Sequence, residues 1–268
     1  MALQDRRRGE RPDPNSMTLV EHLGELRRRV LISILAGLAG GIVAFALYPH
    51  ILQFFTHPYC QLRPHNCGLY ITGPLQGLSV RVQVAVWGGI FLGSPVILWQ
   101  AWRFITPGLH ANEKRYAVPF VVSSIVLFTL GAAIAYLVFP HALGFLNGVG
   151  GKNLRLIYSP NSYLSLIVLL MVAFGVAFQF PVVLVCLEVA GVLSPERLKG
   201  WRRPAIVVIF ALAAFFIPSS DPFSLFAMAI PMCLFYEGSI IVGKVVRSHR
   251  ASKAAGAVTG TRSLERAV

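Results

Sequence analysis

Long apolar runs separated by short polar stretches make up most of this chain. Val30–Tyr48, Val82–Trp102, Tyr116–Phe139 and Tyr163–Leu187 each proceed without one charged side chain. Each approaches or exceeds the about 20 predominantly apolar residues that a helix needs to cross a bilayer core. Two further runs, Pro204–Ile217 and Pro222–Gly243, are parted by the breaker cluster Pro218-Ser-Ser-Asp-Pro222. The fifth run has only 14 residues, about 21 Å of helix at 1.5 Å per residue. Against a roughly 30 Å core it must thin the bilayer, borrow residues such as Trp201, or lean on its neighbours. The pattern predicts an all-α polytopic membrane protein with six spans. Pro95 and Pro181 fall inside spans two and four, where they are expected to kink or locally unwind the helix.

Composition narrows the class. Hydrophobic residues make up 55% and charged residues 13%, with a mean hydropathy of +0.65, whereas a soluble domain carries roughly 25% charged residues. A soluble domain, a disordered chain and a disulfide-rich secreted module are excluded. The net charge of +13 is mostly a topology signal. Seven Lys/Arg precede the first span, three lie in 103–115, four in 191–203 and six from Lys244 onward, against four in the alternate loops (Arg63, Arg81, Lys152, Arg155). That asymmetry places both termini in the cytoplasm, which needs an even number of spans and so supports the short fifth one. Nucleic-acid binding would need aromatic interleaving or a fold motif, and the basic tail has neither. Arg27-Arg28-Arg29 before an apolar run mimics a signal peptide, but the run exceeds a 7–15-residue h-region, so an uncleaved first helix is expected. Residues 1–16 and 248–268 read as disordered tails around a transmembrane domain at 17–247.

Cys60 and Cys67 share the first extracytoplasmic loop, an oxidising compartment in which a short structural disulfide is expected. His57 and His65 lie nearby, but the spacing fits no zinc template, and no metal or cofactor is expected. Cys186 and Cys233 fall within spans as packing residues.

The cytoplasmic acids carry the candidate chemistry. Thr18-x-x-Glu21 has the form of a capping box, so a helix should begin there and lie at the interface before the first span. At 100° per residue, Leu19, Leu23, Leu26 and Val30 cluster on one side, with Glu21, Glu25 and Arg28 opposite. Two readings stand side by side. One is a solvated face with an intrahelical pair from Glu25 to Arg28 or Arg29. The other joins Glu25 to Glu113, the only acid of the 102–115 stretch, as a small negative site in a basic rim. Such a site suits a guanidinium, which grips a carboxylate through two parallel hydrogen bonds, with Phe104 supplying a ring face. Within or near the membrane lie Gln179, Glu188, Asp221 and Glu237, each a functional candidate by default. Glu188 is expected to sit hydrated at the interface, and Glu237 to reach the cytoplasmic surface. Gln179 is the deepest, placed to hydrogen-bond between helices or to meet a passing polar chain. Asp221 is placed to cap the sixth helix.

His22-Leu-x-Glu25-Leu-Arg27, Pro95-Val-Ile-Leu-Trp-Gln-Ala-Trp-Arg-Phe104, Pro107-Gly-Leu followed by Glu113, and Ile230-Pro-Met together resemble the TatC family of the twin-arginine protein translocase. The resemblance runs from about Thr18 to Lys244 and is specific because several separated motifs agree in order and spacing. It implies six helices in a concave, glove-like arrangement, the fifth and sixth short, in the bacterial cytoplasmic membrane. It implies a receptor for twin-arginine signal peptides of folded cargo, not an enzyme, working with TatA, TatB, further copies of itself and membrane lipid, and driven by the proton-motive force. By the same resemblance Glu25 and Glu113 partner the arginine pair, and Phe104 and Arg27 shape that surface. Pro58, Asp221 and Glu237 match family positions. Gln179 stands where many relatives place a glutamate, so only a hydrogen-bonding role carries over. The Cys60–Cys67 pair lies outside the general family pattern. The alternative is a solute transporter or permease subunit, which predicts several polar side chains converging at the bilayer midplane. A membrane-embedded enzyme would need a nucleophile and base or a metal cluster at one depth, and His22, His110 and His249 are scattered.

Overall fold

The structure, a computed structural model, describes residues 19–62, 68–105, 117–149, 151, 158–217, 219 and 221–265, with backbone alone for 19–21, 62, 105, 117 and 245–265. All regular structure among them is helical: α1 Leu19–Ala46, α2 Tyr48–Leu62, α3 Gln76–Ile105, α4 Ala117–Val149, α5 Pro160–Ala177, α6 Phe180–Val189, α7 Pro195–Gly200, α8 Arg202–Phe216 and α9 Pro222–Glu265. Among the described residues, five segments are long and apolar enough to cross a membrane: His22–Ala46, Gln76–Phe104, Val118–Val149, Pro160–Val189 and Pro222–Lys244. The expected fifth span forms α8, which at 15 residues falls short of that length.

Four local expectations change. The polar stretch from Leu19 is not a separate interfacial helix. It continues without a break into the first span as α1, because nothing between Glu21 and Val30 interrupts the hydrogen-bond ladder. The region after the first span, read as a loop, contains the 15-residue α2. Pro95 leaves α3 uninterrupted, whereas Pro181 does break its span, into α5 and α6 at Phe178-Gln179. Finally, α9 is helical through Glu265, which includes residues 248–265 of the expected disordered tail.

Helices in lipid associate through close packing and hydrogen bonds rather than by escaping water, and glycine carries the α1–α3 contact. A Cβ at Gly89 would land on the Gly37 carbonyl oxygen, and 2.8 Å from Gly41 N. A Cβ at Gly40 would stand 2.9 Å from Gly89 O, and one at Gly93 would stand 3.2 Å from Gly37 N. The same device joins α4 to α5, where a Cβ at Gly131 would stand 2.7 Å from Phe174 O. Around this second contact sits the core: Phe139 and Leu143 of α4, Tyr163, Leu164, Ile167 and Phe174 of α5, and Met228 and Ile240 of α9 are all sealed from solvent.

Pro58 shows how a helix breaker is accommodated at the α2 end of the bundle. It is buried within α2 and has no N–H to give the Phe54 carbonyl four residues earlier. The Tyr136 hydroxyl of α4 donates to that carbonyl instead, at 2.9 Å, and its ring stacks on Phe54 with centroids 4.4 Å apart. Tyr163 of α5 donates to the neighbouring Phe55 carbonyl at 2.8 Å. Tyr136→Phe is therefore expected to cost about 1 kcal/mol, and less in a Pro58→Ala background, where the restored backbone N–H can take over the carbonyl. Unfolding of the single and double variants checks this; equal costs in both backgrounds would contradict it.

Candidate functional site

Antiparallel packing brings the start of α1, the end of α3, the start of α4, the end of α6 and the α7–α8 junction to one end of the bundle, the end rich in Arg and Lys. There Glu25 and Arg29, one turn apart on α1, lie on the same face. Arg29 donates from both Nε (3.1 Å) and Nη2 to Glu25 Oε1, so of the two expected pairings the helix makes the one to Arg29. Arg29 Nη1 also points at Gln100 Oε1 of α3, 3.5 Å away. The pair is half-buried, with 12% of the Arg29 and 24% of the Glu25 side chain exposed. Glu25 Oε2 is buried without a hydrogen-bond partner among the described residues. Glu25 lines a cavity of about 170 Å³ together with Arg28, Arg29, Ile32, Gln100 and Arg103. Phe104, one turn beyond Gln100 on α3, stacks on His22 at 4.4 Å. From Phe104 and Arg29 an apolar groove of about 900 Å³ runs along α1 and α3 toward Phe45. Arg27 is exposed. Glu113 lies outside the described residues. The structure thus joins Glu25 and Phe104 at one end of α1 and α3, and adds Arg29 and Gln100.

The membrane-depth candidates occupy separate places. Gln179, at the α5–α6 break, donates from Nε2 to the Ser124 carbonyl of α4 at 3.0 Å, and Ser124 Oγ accepts from Trp102 Nε1 at 2.5 Å. The interhelical bond expected of Gln179 is therefore made. Glu237 pairs with Arg202 at 2.6 Å, both nearly half exposed, and Tyr236 donates to the Leu198 carbonyl at 2.8 Å. Together they fasten α9 to the α7–α8 corner. Glu188 corrects an expectation: it is 6% exposed rather than hydrated. Its carboxylate lies over Gly243 of α9, so close that a Cβ there would stand 2.6 Å from its carboxyl carbon. Only a residue without a side chain lets α9 approach, and that approach removes the water. Asp221 is 1% exposed and caps α9, accepting from Ser224 N at 2.7 Å and from the Ser219 hydroxyl.

Cys60 is disulfide-bonded, while Cys186 and Cys233 are thiols; the expected partner of Cys60, Cys67, lies outside the described residues. Among the described residues no three His, Cys, Asp or Glu side chains gather closely enough to hold a metal ion.

The family model for TatC, Sec-independent protein translocase protein, matches residues 21–231. The chain belongs to the TatC family. A Frankia casuarinae Sec-independent protein translocase protein TatC is 39% identical over 248 residues, covering 88% of this chain and 68% of the relative. The Aquifex aeolicus protein of the same name is 41% identical over 232 residues, covering 85% of this chain and 95% of its own. A crystal structure of a twin-arginine translocase receptor, TatC, superposes with a TM-score of 0.67 at 40% identity, over 84% of this chain and 99% of that one. A second, in the detergent DDM, gives 0.69 at 40% identity.

Within this TatC-family fold, two features escaped the motif reading. Gln100 lies inside the Pro95–Phe104 string, but its approach to Arg29 depends on the register set by the glycines of α1 and α3. Arg81, read only as a loop charge, stacks its guanidinium over Phe45 and Tyr48 at 5.3 and 4.9 Å, bracing the α1–α2 corner against α3.

Proposed function

We propose that the chain is the receptor subunit of a twin-arginine protein translocase in a bacterial cytoplasmic membrane. It binds twin-arginine signal peptides of folded cargo at its cytoplasmic face. The supporting observation is a half-buried Glu25 that lines a cavity with three arginines and keeps its second carboxylate oxygen unpaired among the described residues, at the same end as Phe104 and the head of an apolar groove. A carboxylate held in partly desolvated surroundings strengthens a charge-assisted pair with a guanidinium, and the groove suits the apolar segment that follows the arginines in such a peptide. Glu113 supplies the second carboxylate, and Arg27 shapes the rim. In this reading the body at 17–247 crosses six times, with α8 as the short fifth crossing, both termini in the cytoplasm and the helices forming a glove-like concavity. Pro58 and the Cys60–Cys67 disulfide shape the extracytoplasmic cap. Asp221 and Glu237 hold the last two helices together. Single-span TatA and TatB, further copies of the chain and surrounding lipid complete the translocase, which the proton-motive force drives.

The permease alternative loses ground because Gln179, its midplane candidate, is engaged by Ser124.

Binding of a twin-arginine peptide to membrane vesicles tests the reading, with a twin-lysine peptide as control. Binding is expected in inside-out vesicles only, selective for arginine, and weaker by about tenfold or more in Glu25→Ala and in Glu113→Ala, each of which removes a charge-assisted partner of the arginine pair. Binding that ignores the lysine exchange and both substitutions would return the glutamates to a solvated face.

A further inference from the structure

We propose that Arg29 is an internal competitor for the incoming arginine: its guanidinium occupies Glu25 in the peptide-free chain and must shift onto Gln100 before the carboxylate can grip a ligand. The inference rests on the receptor reading above and assigns Arg29 and Gln100 a role in setting the affinity of that site.

Stoichiometry carries the argument. A bidentate arginine–carboxylate pair uses both carboxylate oxygens in parallel hydrogen bonds. Here Oε1 already accepts two N–H groups of Arg29, and only Oε2, which is buried, is left unpaired among the described residues. With Arg29 in place an arriving guanidinium has at most that one buried oxygen to reach, a single contact that does not distinguish it from an ammonium. The forked grip that distinguishes arginine from lysine requires Oε1 to be vacated.

The structure also contains the place for Arg29 to go. Gln100 Oε1 lies 3.5 Å from Nη1, beyond the 2.7–3.2 Å of a well-formed N–H···O bond. A modest side-chain rotation off Glu25 shortens that contact to full strength. Gln100 is neutral, so it receives the displaced guanidinium without trapping it. Because the i,i+4 spacing holds Arg29 beside Glu25 on one helix, competition is intramolecular and independent of protein concentration. Apparent affinity is then the intrinsic affinity multiplied by the fraction of molecules in which Glu25 is released.

The prediction has opposite signs for two neighbouring residues. Arg29→Gln removes the competitor and is expected to tighten twin-arginine peptide binding about twofold to fivefold, the range set by the equilibrium constant of an i,i+4 ion pair. Gln100→Leu removes the acceptor for the displaced guanidinium and is expected to weaken binding about threefold, the low end of what one hydrogen bond contributes net. In the Arg29→Gln/Gln100→Leu double variant the Gln100 effect disappears, since no guanidinium needs receiving. The measurement is peptide titration of full-length chain in nanodiscs, on preparations whose thermal unfolding matches the unsubstituted protein. Should Arg29→Gln fail to fold, the opposite-signed single variant Gln100→Leu still decides. Unchanged or weaker binding in Arg29→Gln, or unchanged binding in Gln100→Leu, overturns the proposal and makes Arg29 a fixed brace for Glu25. That result is distinct from failure of the receptor reading, in which binding to the unsubstituted chain would not depend on Glu25 at all.

Discussion

Gly89→Leu is expected to destabilise the protein by about 3 kcal/mol and to separate α1 from α3, the upper range for overpacking a tight contact. The size follows from what the new side chain meets. A Cβ at position 89 strikes the Gly37 carbonyl oxygen and stands 2.8 and 2.9 Å from Gly41 N and Cα. All three are backbone atoms of another helix, and no rotamer change moves them aside. Relief comes only by pushing α1 outward, which opens every contact the two helices share. Those include Gly40 against Gly89 and Leu92, Gly41 against Ala85, and Gly93 against Ala36 and Gly37. In lipid this packing is itself a large part of what holds the helices together. Gly144→Leu is the matched control: on α4 it meets nothing within 4 Å and replaces the same residue in a helix. Reversible unfolding in detergent micelles should show the α3 variant well below the α4 variant, and equal midpoints would show that α1 and α3 are not held by glycine contact. Separation should also abolish peptide binding, since Glu25 rides on α1 while Gln100 and Phe104 ride on α3.

The same contact illustrates what the primary structure did and did not disclose. Uncharged runs such as Val82–Trp102 located spans directly, because the bilayer imposes a length and forbids unsatisfied polar groups inside it. Which face of a span meets which neighbour was not legible. Membrane helices are rich in glycine generally, and the register of Gly89 against Gly37 is a property of two segments together. Glu188 failed for the same reason: its burial depends on Gly243, far along the chain. α2 was hidden because Tyr48–Leu62 is only partly apolar and carries Pro58, whose missing N–H reads as a breaker until Tyr136 is seen to serve the carbonyl in its place. Local chemistry fared better. Thr18-to-Arg29 suggested an intrahelical pair at Glu25, and the fold supplied only the choice of Arg29 and the unforeseen reach to Gln100. Pro218-Ser-Ser-Asp-Pro222 suggested a cap, and a cap is what Asp221 makes.

That cap carries the second large effect: Asp221→Ala is expected to cost about 2–3 kcal/mol. Removing a helix N-cap costs up to about 2 kcal/mol, and leaving a buried donor unsatisfied adds about 1 kcal/mol or more. Both apply here. Asp221 is 1% exposed and Ser224 wholly buried, so the Ser224 N–H that now reaches Oδ1 at 2.7 Å would find no water, and the Ser219 hydroxyl would lose its acceptor as well. Pro222 at the first helical position contributes a fixed φ suited to helix entry and has no N–H of its own to satisfy, but it offers the Ser224 N–H no acceptor in place of the cap. Asp221→Asn separates the contributions. An asparagine oxygen can still accept from Ser224 and its amide can donate to Ser219 Oγ, so only the favourable placement of a negative charge at a helix N-terminus is lost, about 0.5–1 kcal/mol. Unfolding free energies should therefore fall in the order unsubstituted, Asn, Ala, with the larger step between Asn and Ala. A larger step between Asp and Asn would mean that the charge itself, rather than the hydrogen bonds, anchors the α8–α9 turn. The consequence extends along the helix, because α9 carries Tyr236 and Glu237 to Leu198 and Arg202 and Gly243 to Glu188. A frayed start to α9 therefore loosens the far corner of the bundle, and the Ala variant should show faster proteolysis near Arg202 as well as near Ser219.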